Sequence, residues 1–430
     1  MILKSSLRNV IRTPVKTTLF VLLLAAVTTF LSIGLNMWLS ATQSIKAAMQ
    51  SFKTIGIVEY RGPNGAPLVD YYDYSPIFDS EYVEAFDHRA LLAGFSEEIT
   101  IAREFNSYKS SYRLSIIEFT PLEISDDGRR IEARILDVLR SPDSLLRKNR
   151  IVSLEIATSA QEYTDSKGYS LEVGKNYLSG VSANVDLNLL VVEHPARFRI
   201  PGDWWSDMPI EVFLETTAKD YLESEEGQAW VHILQLYDNS LKTLTVCSTN
   251  DMETILSFHQ GKVVVSDGRT FSQEDYQEGN RVCIINRDLA GHLNLEVGDF
   301  IPISFSEAVG SDLGFYETGG YSINSFNHRD ILGQGDYKVV GFYHIVGDLR
   351  GSHVYGLTKE TVFIPQKAID NRPHLTMDNL VSFRLTTGTV EAFQQEMEQY
   401  DLPGLNFTYY DQGYSKVSGV FTNMRETALI

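Results

Sequence analysis

An uncharged apolar run lies near the N-terminus, where residues 17–39 read TTLFVLLLAAVTTFLSIGLNMWL. A helix rises about 1.5 Å per residue, so a run of this length spans the roughly 30 Å hydrocarbon core of a bilayer. Trp38 lies at its far end, where an indole ring favours the membrane interface. The pattern predicts one transmembrane helix over 17–39, continued by a helical stalk over 40–52.

Four basic residues spaced by four precede this run: Lys4, Arg8, Arg12 and Lys16. On a helix they form one stripe beside apolar residues, which is typical of a short amphipathic helix over 1–16 on the inner membrane surface. A basic flank that only sets topology explains the same residues. In both interpretations the positive-inside rule places the N-terminus in the cytoplasm and the residues after 39 outside.

A cleaved signal peptide is the alternative to a permanent anchor. Its cleavage site would fall near Leu39-Ser40-Ala41, which is a weak match to the usual pattern of small residues. The apolar run is longer than the core of a usual signal peptide, so we favour the anchor.

Beyond residue 53 short strand-like and helix-like patterns alternate. Residues 55–60 read as a strand, 78–95 as a helix and 97–105 as a second strand, which predicts a β-α-β opening. The segment 106–250 is rich in strand-like pieces and turn signals. Further strands are predicted at 263–265, 282–285, 301–305, 337–343, 362–364 and 381–385, and helices at 288–295, 390–400 and 414–430.

The predicted fold class is α+β: a single N-terminal transmembrane helix followed by a large mixed α/β extracytoplasmic domain with an inserted β-rich subdomain. The core domain is expected over 53–110 and 250–413, with the insert over 111–249. Residues 414–430 are expected to form a stalk helix leading towards a second membrane span that the sequence does not contain.

The net charge of −19 is unevenly distributed. The first 53 residues hold six Lys or Arg and no Asp or Glu, so the rest of the chain carries −25. An acidic body disfavours nucleic acid, whose binding depends on Lys and Arg at the phosphates, and it repels anionic lipid headgroups. The lipid bilayer is therefore expected as a partner of the N-terminus, and nucleic acid is not expected as a partner.

Two cysteines, Cys247 and Cys283, lie in strand-like runs. They are either two buried free thiols or one disulfide, which an extracytoplasmic compartment would permit. The pair Trp204-Trp205 follows a Pro-Gly turn signal and is either a partner-binding anchor or, as we favour, an edge of the core.

No catalytic, cofactor or metal motif is present in the sequence. It has no phosphate-binding G-x-x-x-x-G-K-[ST] loop, no H-E-x-x-H, no C-x-x-C and no G-x-S-x-G. The nine His residues are scattered without metal-ligand spacing. We therefore expect no catalytic, cofactor or metal site and no enzymatic activity.

The segment 262–305 resembles the extracytoplasmic core domain of MacB-like and FtsX-like ABC permeases. The resemblance consists of a Gly-Arg-x-Phe turn, an acidic-aromatic pair, a strand, a short Ala-Leu helix and a Val-Gly-Asp turn. Those positions are Gly268, Arg269, Phe271, Asp275, Tyr276, Leu289, Ala290, Val297, Gly298 and Asp299. The later run 337–341, which ends at Gly341, and the N-terminal segment also resemble the family.

These motif residues have structural interpretations. Gly268 suits a turn with positive φ, and Gly298 suits the end of a helix. Arg269 is expected to pair with Asp275 or to bind loop carbonyls, and Asp299 to hold its turn through its carboxylate.

The resemblance implies a permease subunit in the cell (inner or plasma) membrane, working in export or mechanotransmission. Its implied partners are a cytoplasmic ABC ATPase and a second permease copy or homologous permease. Family members continue through further membrane helices, so we expect this chain to be a fragment of such a permease. The alternatives are a one-span extracytoplasmic binding or adaptor protein without an ATPase and, with no residue to support it, a secreted or anchored hydrolase.

Overall fold

The strands and helices follow from a computed structural model of the chain. It describes residues 14–60, 73–101, 114–141, 146–160, 162, 170–183, 189–192, 211–307, 313–315, 321–323, 326–346, 357–369, 381–400, 402 and 404–428. The chain packs into two units, one formed by 1–86 with 381–430 and the other by 87–380.

The helices are α1 (Pro14–Ser51), α2 (Ser75–Phe78), α3 (Glu225–Lys242), α4 (Leu256–His259), α5 (Gln273–Glu278), α6 (Arg287–His292), α7 (Val390–Met397) and α8 (Tyr414–Thr427). The strands are β1 (Thr54–Tyr60), β2 (Val83–His88), β3 (Ala90–Phe95), β4 (Leu114–Ile124), β5 (Arg130–Arg140), β6 (Ile151–Ile156), β7 (Tyr177–Ala183), β8 (Leu189–Val192), β9 (Leu214–Glu215), β10 (Thr243–Thr249), β11 (Val263–Gly268), β12 (Val282–Asn286), β13 (Phe300–Glu307), β14 (Leu313–Phe315), β15 (Tyr321–Ile323), β16 (Ile331–Ile345), β17 (Thr361–Pro365), β18 (Val381–Leu385) and β19 (Leu405–Tyr410).

The first unit joins the long helix α1 to a four-stranded sheet of order β19-β1-β18-β2. Helix α7 packs on this sheet, and Phe393 of α7 lies 5.0 Å from Phe383 of β18, measured between ring centroids. Both rings are buried, together with Val58 of β1 and Ile77 of α2. This small aromatic core fixes the sheet from which α1 and α8 emerge.

The second unit contains a seven-stranded sheet of order β11-β16-β12-β17-β10-β3-β13. Strand β13 also pairs with β16, so six of these strands close into a barrel. Buried residues fill both of its faces: Leu92, Ile301 and Val339 lie in one cluster, and Leu91 and Phe363 lie in the other. Strands buried on both faces form short continuous apolar runs in the sequence.

The second unit also contains a six-stranded sheet of order β4-β5-β6-β8-β7-β9, in which β4 pairs with β7. Helix α3 packs against it through buried Trp230, Ile233 and Tyr237. The Ser224 hydroxyl begins this helix by accepting a hydrogen bond from the Gly227 N–H at 3.0 Å, a standard N-cap.

The fold class is confirmed: an N-terminal apolar helix precedes a mixed α/β body. The predicted membrane helix and its predicted continuation form the single unbroken helix α1. The six-stranded sheet and α3 lie within residues 111–249, the segment predicted to be the insert. Strand β10 falls at the end of the same segment, but it pairs with β3 and β17 in the seven-stranded sheet. The two units divide the chain at 86 and 381.

The predicted helix over 78–95 is wrong, because these residues contribute β2 and β3. All six residues of β3 are buried between β10 and β13, and a short apolar run of this kind satisfies either period. The predicted strand over 97–105 is also wrong in its described part, since residues 97–101 form a turn and irregular structure. Helix α3 was missed within the segment predicted to be strand-rich.

Candidate functional site

The N-terminal half of α1 exposes its apolar side chains. Leu22 is 65% and Phe30 is 74% exposed. The hydroxyls of Thr28 and Thr29 donate to the carbonyls of residues 24 and 25, at 2.9 Å and 2.8 Å, so the polar atoms are satisfied within the helix. In the described part of the chain α1 is the one helix long and apolar enough to cross a membrane.

Helices α1 and α8 lie side by side and antiparallel. Helix α1 ends just before β1, and α8 begins just after β19. These two strands are antiparallel neighbours in which Ile55 lies opposite Tyr410, so both helices leave the same end of the sheet. Near the other end of the pair, a Cβ built on Gly34 would lie 2.9 Å from the carbonyl oxygen of Ala428. Helix α8 therefore reaches the level of the apolar run.

A stripe of small residues on α1 permits this approach. Gly34, Ala41 and Ala48 recur at intervals of seven, the repeat that keeps one face of a helix turned to a partner. Ala41 is 1% and Ala48 is 7% exposed. This stripe is not among the features predicted from the sequence, although a seven-residue repeat of small side chains was the available signal.

The loop after β18 touches both helices where they leave the sheet. The Thr387 hydroxyl donates to the Phe52 carbonyl at 2.6 Å. Gly388 has a φ of 91°, and a Cβ built there would lie 2.9 Å from the Tyr414 hydroxyl and 3.2 Å from Cε of Met49. The Phe52 and Tyr414 rings meet edge to face at 6.3 Å. We call Phe52, Thr387, Gly388 and Tyr414 the helix base.

The start of α8 is fixed by Asp411. Its carboxylate accepts hydrogen bonds from the backbone N–H groups of Gly413 at 2.9 Å and Ser415 at 2.8 Å. Burial acts to raise the pKa of this carboxyl, but the hydrogen bonds outweigh it and the pKa lies below its usual value. A charged Asp411 therefore stabilises the helix that it precedes.

The predicted Gly268–Arg269 turn lies against β16. Gly268 has a φ of 73°, and a Cβ there would collide with the Val340 carbonyl. The Arg269 N–H donates to the same carbonyl at 2.9 Å. Gly341 faces this turn, and a Cβ on it would collide with the Arg269 carbonyl.

Asp275 connects that turn to α5. Its carboxylate receives the Arg269 guanidinium and the Ser272 backbone N–H, the latter at 2.8 Å. Arg269 also donates to the Thr270 carbonyl at 2.9 Å, so both expected kinds of partner are present. Phe271 is buried, and its ring meets Tyr276 edge to face at 5.6 Å.

The Val-Gly-Asp turn reaches the same part of β16. The Gly298 N–H donates to the Val339 carbonyl, and the Val339 N–H donates to the Asp299 carbonyl, both at 2.8 Å. The Asp299 carboxylate accepts from the Glu296 N–H at 2.8 Å and so holds its own turn. The two predicted turns, distant in sequence, thus converge on residues 339–341.

Five residues were predicted to indicate the membrane topology. Lys16 and Trp38 lie on α1, and Lys4, Arg8 and Arg12 lie outside the described residues. Trp204 and Trp205 also lie outside them.

Cys247 and Cys283 are buried free thiols in the structure. They lie on β10 and β12, which β17 separates, and they belong to different hydrophobic clusters. Among the described residues no group of three or more His, Cys, Asp or Glu is arranged to hold a metal ion.

Comparison with protein-family models found no match, and no curated protein matches the sequence. Among solved structures, the crystal structure of the periplasmic region of MacB from Actinobacillus actinomycetemcomitans is similar to this chain. The alignment covers 86% of this chain and 92% of that one, at 6% identity and a TM-score of 0.29. A TM-score this low does not establish a common topology.

Proposed function

We propose that this chain is a subunit of a membrane permease that couples a partner ATPase to export or mechanotransmission. The observation that carries the proposal is the antiparallel pair of α1 and α8. Its apolar end, near Gly34 and Ala428, exposes large side chains suited to lipid, and its other end joins the helix base. A rigid pair of this kind transmits displacement between a membrane and a folded domain.

The helix base is the point where displacement would reach the sheet. Helix α1 continues into β1 through Phe52, whose carbonyl is held by Thr387. The Lys53 N–H also donates to Gln412 Oε1 at 3.1 Å, which links the segment after α1 to the segment before α8. A shift of one helix along the other would therefore act on β1 and β19 together, because both strands begin or end at this base.

Charge supports the proposed orientation. The basic N-terminal flank would lie in the cytoplasm, and the acidic remainder of the chain outside the cytoplasmic membrane. This chain has no phosphate-binding loop and, as we propose, no catalytic site of its own. The energy would come from a cytoplasmic ATPase, and a second copy of the chain or a homologous permease would complete the membrane part.

Affinity purification from native membranes in an uncharged detergent tests the proposal. We expect the chain to recover an ATPase, detected as ATP hydrolysis in the eluate. A matched variant keeps residues 40–430 and replaces 14–39 by an unrelated apolar transmembrane helix, and it should lose that activity. Recovery of no ATPase with the native chain would contradict the proposal and favour a one-span adaptor protein.

A further inference from the structure

The antiparallel pair of α1 and α8 has a register that gives each α8 residue a height along α1. A Cβ built on Gly34 would lie 2.9 Å from the Ala428 carbonyl oxygen. At the other end of the pair, Met49 and Tyr414 both approach Gly388. Both helices rise about 1.5 Å per residue, and counting from either contact gives the same register within one residue. The height of any α8 residue relative to the apolar run therefore follows.

Arg425 lies at the height where the apolar run of α1 ends. It precedes Ala428 by three residues. Met37 follows Gly34 by three residues, so Met37 and Arg425 lie at the same height. The next residue of α1 is Trp38, the indole expected at the membrane interface, and the apolar run ends one residue later. Arg425 is therefore placed at the boundary between the hydrocarbon core and the lipid headgroups.

The burial pattern of both helices agrees with this register. Residues 18–33 of α1 are exposed, whereas partial burial begins at Gly34 and recurs three and four residues later. On α8, Arg425 and Ala428 are half-buried as well. Residues three apart share one side of a helix, and Ala428 is on the side that approaches α1. The Arg425 side chain therefore starts from the side of α8 that faces α1.

No carboxylate of either helix is placed to neutralise Arg425. The first 53 residues contain no Asp or Glu, so α1 offers none. The one carboxylate of α8 is Glu426, the next residue, and adjacent residues of a helix do not face each other. Arg425 forms no ion pair with any residue that the structure describes. A guanidinium at this depth is stabilised by an anionic partner, and the described residues do not supply one.

We propose that Arg425 binds the phosphate group of a phospholipid in the leaflet nearest the helix base. This inference rests on the proposed insertion of α1 into the membrane. Phospholipid phosphates lie in the layer just outside the hydrocarbon core, at the height that the register gives Arg425. A guanidinium binds phosphate through two parallel hydrogen bonds, while its alkyl stem packs along apolar surface. The acyl chains would lie along exposed side chains of α1 such as Leu31 and Leu35.

The charge of the chain gives this contact a role. Residues 54–413 carry −26, whereas residues 1–53 carry +6 and residues 414–430 carry +1. Anionic headgroups repel an acidic domain, and the attraction between Arg425 and a phosphate opposes that repulsion where the helix pair enters the lipid. The bound phospholipid would thereby fix the depth at which the pair sits in the membrane.

Titration of the delipidated full chain with phosphatidylglycerol in uncharged detergent tests the proposal, with the lipid-bound fraction measured by native mass spectrometry. We expect Arg425→Gln to raise the half-saturating lipid concentration at least about tenfold, the loss typical of one charged hydrogen-bonded contact. Arg425→Lys keeps the charge without the paired hydrogen bonds and should lose less. Circular dichroism of each variant checks that the fold is retained.

Lys416→Gln is the matched control. Lys416 is exposed on the same helix, nine residues before Arg425. It lies about 14 Å further from the hydrocarbon core, beyond a headgroup layer about 5 to 8 Å deep. Lipid binding by this variant should equal that of the native chain. A loss equal to that of Arg425→Gln would show a general effect of charge and overturn the proposal.

Other ligands separate recognition of phosphate from other causes. Phosphatidylcholine carries the phosphate without net charge, and Arg425→Gln should weaken its binding too. Diacylglycerol has the acyl chains without a phosphate, and both proteins should bind it equally. Excess inorganic phosphate should not displace the lipid, since the acyl chains contribute to binding. Equal binding of phosphatidylglycerol by the variant and the native chain would overturn the proposal, as would an equal loss with diacylglycerol or displacement by inorganic phosphate.

Flotation with phosphatidylcholine vesicles separates this proposal from the one on which it rests. The native chain and Arg425→Gln should both float with the vesicles after a carbonate wash, because α1 is long and apolar enough to hold them. A native chain that did not float would contradict membrane insertion and both proposals with it. Flotation of both proteins with equal lipid affinities would overturn the phosphate contact alone.

Discussion

At the scale of single residues, Asp275 is the most heavily bonded carboxylate of the predicted motif. It receives hydrogen bonds from Arg269, from the Ser272 N–H and hydroxyl, and from Asn280 Nδ2 at 3.1 Å. Burial acts to raise its pKa, but the bonds from Arg269 and the other donors outweigh burial, so the pKa lies far below its usual value. The charged form is therefore the one that stabilises the fold.

Replacing this carboxylate should destabilise the folded chain near neutral pH. We expect Asp275→Asn to lower the free energy of unfolding by about 2 kcal/mol at pH 7, because it removes the charge that Arg269 binds and replaces one of the two acceptor oxygens by an amide donor. Urea unfolding followed by circular dichroism measures this. Glu274→Gln, at an exposed position of the same helical turn, should change it by less than about 0.5 kcal/mol.

The pH dependence of that difference follows from the lowered pKa. A depressed folded-state pKa contributes stability that is present above the unfolded value, about 3.9, and is lost as the pH falls towards the folded value. The difference in unfolding free energy between native chain and Asp275→Asn should therefore shrink below about pH 4. A difference that stayed constant down to acidic pH would show that the charge of Asp275 is not what stabilises the turn.

Gly268 and Gly128 separate two effects of an added methyl group. Their φ values, 73° and 69°, are nearly equal, but a Cβ collides with the Val340 carbonyl only at Gly268 and meets nothing within 4 Å at Gly128. We expect Gly128→Ala to cost about 1 kcal/mol from the left-handed backbone alone. Gly268→Ala should cost at least about 1 kcal/mol more, from the displaced strand, as urea unfolding would show.

At the scale of elements, the contact between α1 and α8 depends on the small-residue stripe. We expect Ala41→Leu to separate the helices and to increase protease cleavage of α8, because the added carbons have no space where Ala41 is 1% exposed. Overpacking of this kind costs about 1 to 3 kcal/mol. Limited trypsin digestion of the micelle-bound chain measures the cleavage of α8 at Lys416 and Arg425.

Ala47→Leu is the matched control, since Ala47 lies on the exposed side of the same helix. Its digestion should match that of the native chain. Equal digestion of all three proteins would mean that α8 does not depend on the stripe for protection.

The errors at β3 and α3 have different causes. The apolar residues of β3 fit a helix or a strand by periodicity, and only the presence of β10 and β13 on its two sides makes it a strand. Helix α3 had a readable signal, a Ser224 cap followed by Glu225 and apolar residues at helical spacing, which the strand-like surroundings obscured.

At the scale of the whole molecule, the membrane topology can be measured by labelling introduced cysteines, because the two native cysteines are buried. Burial raises the pKa of the Cys247 and Cys283 thiols to about 12, so both should be silent to maleimides in the folded chain. An introduced Ser153→Cys, at an exposed position, should be labelled by a membrane-impermeant maleimide in intact cells. Lys4→Cys should be labelled only after permeabilisation, and the reverse pattern would place the body in the cytoplasm.

The sequence alone determined the features that depend on nearby residues. The uncharged run predicts α1 because its length and composition suffice, and the pairing of Arg269 with Asp275 was predictable because six positions separate them. The contact of α1 with α8, the closure of β13 on β16 and the pairing of β4 with β7 were decided by the tertiary structure. Each depends on partners distant along the chain, and local pattern carries no information about which distant strand or helix will lie alongside.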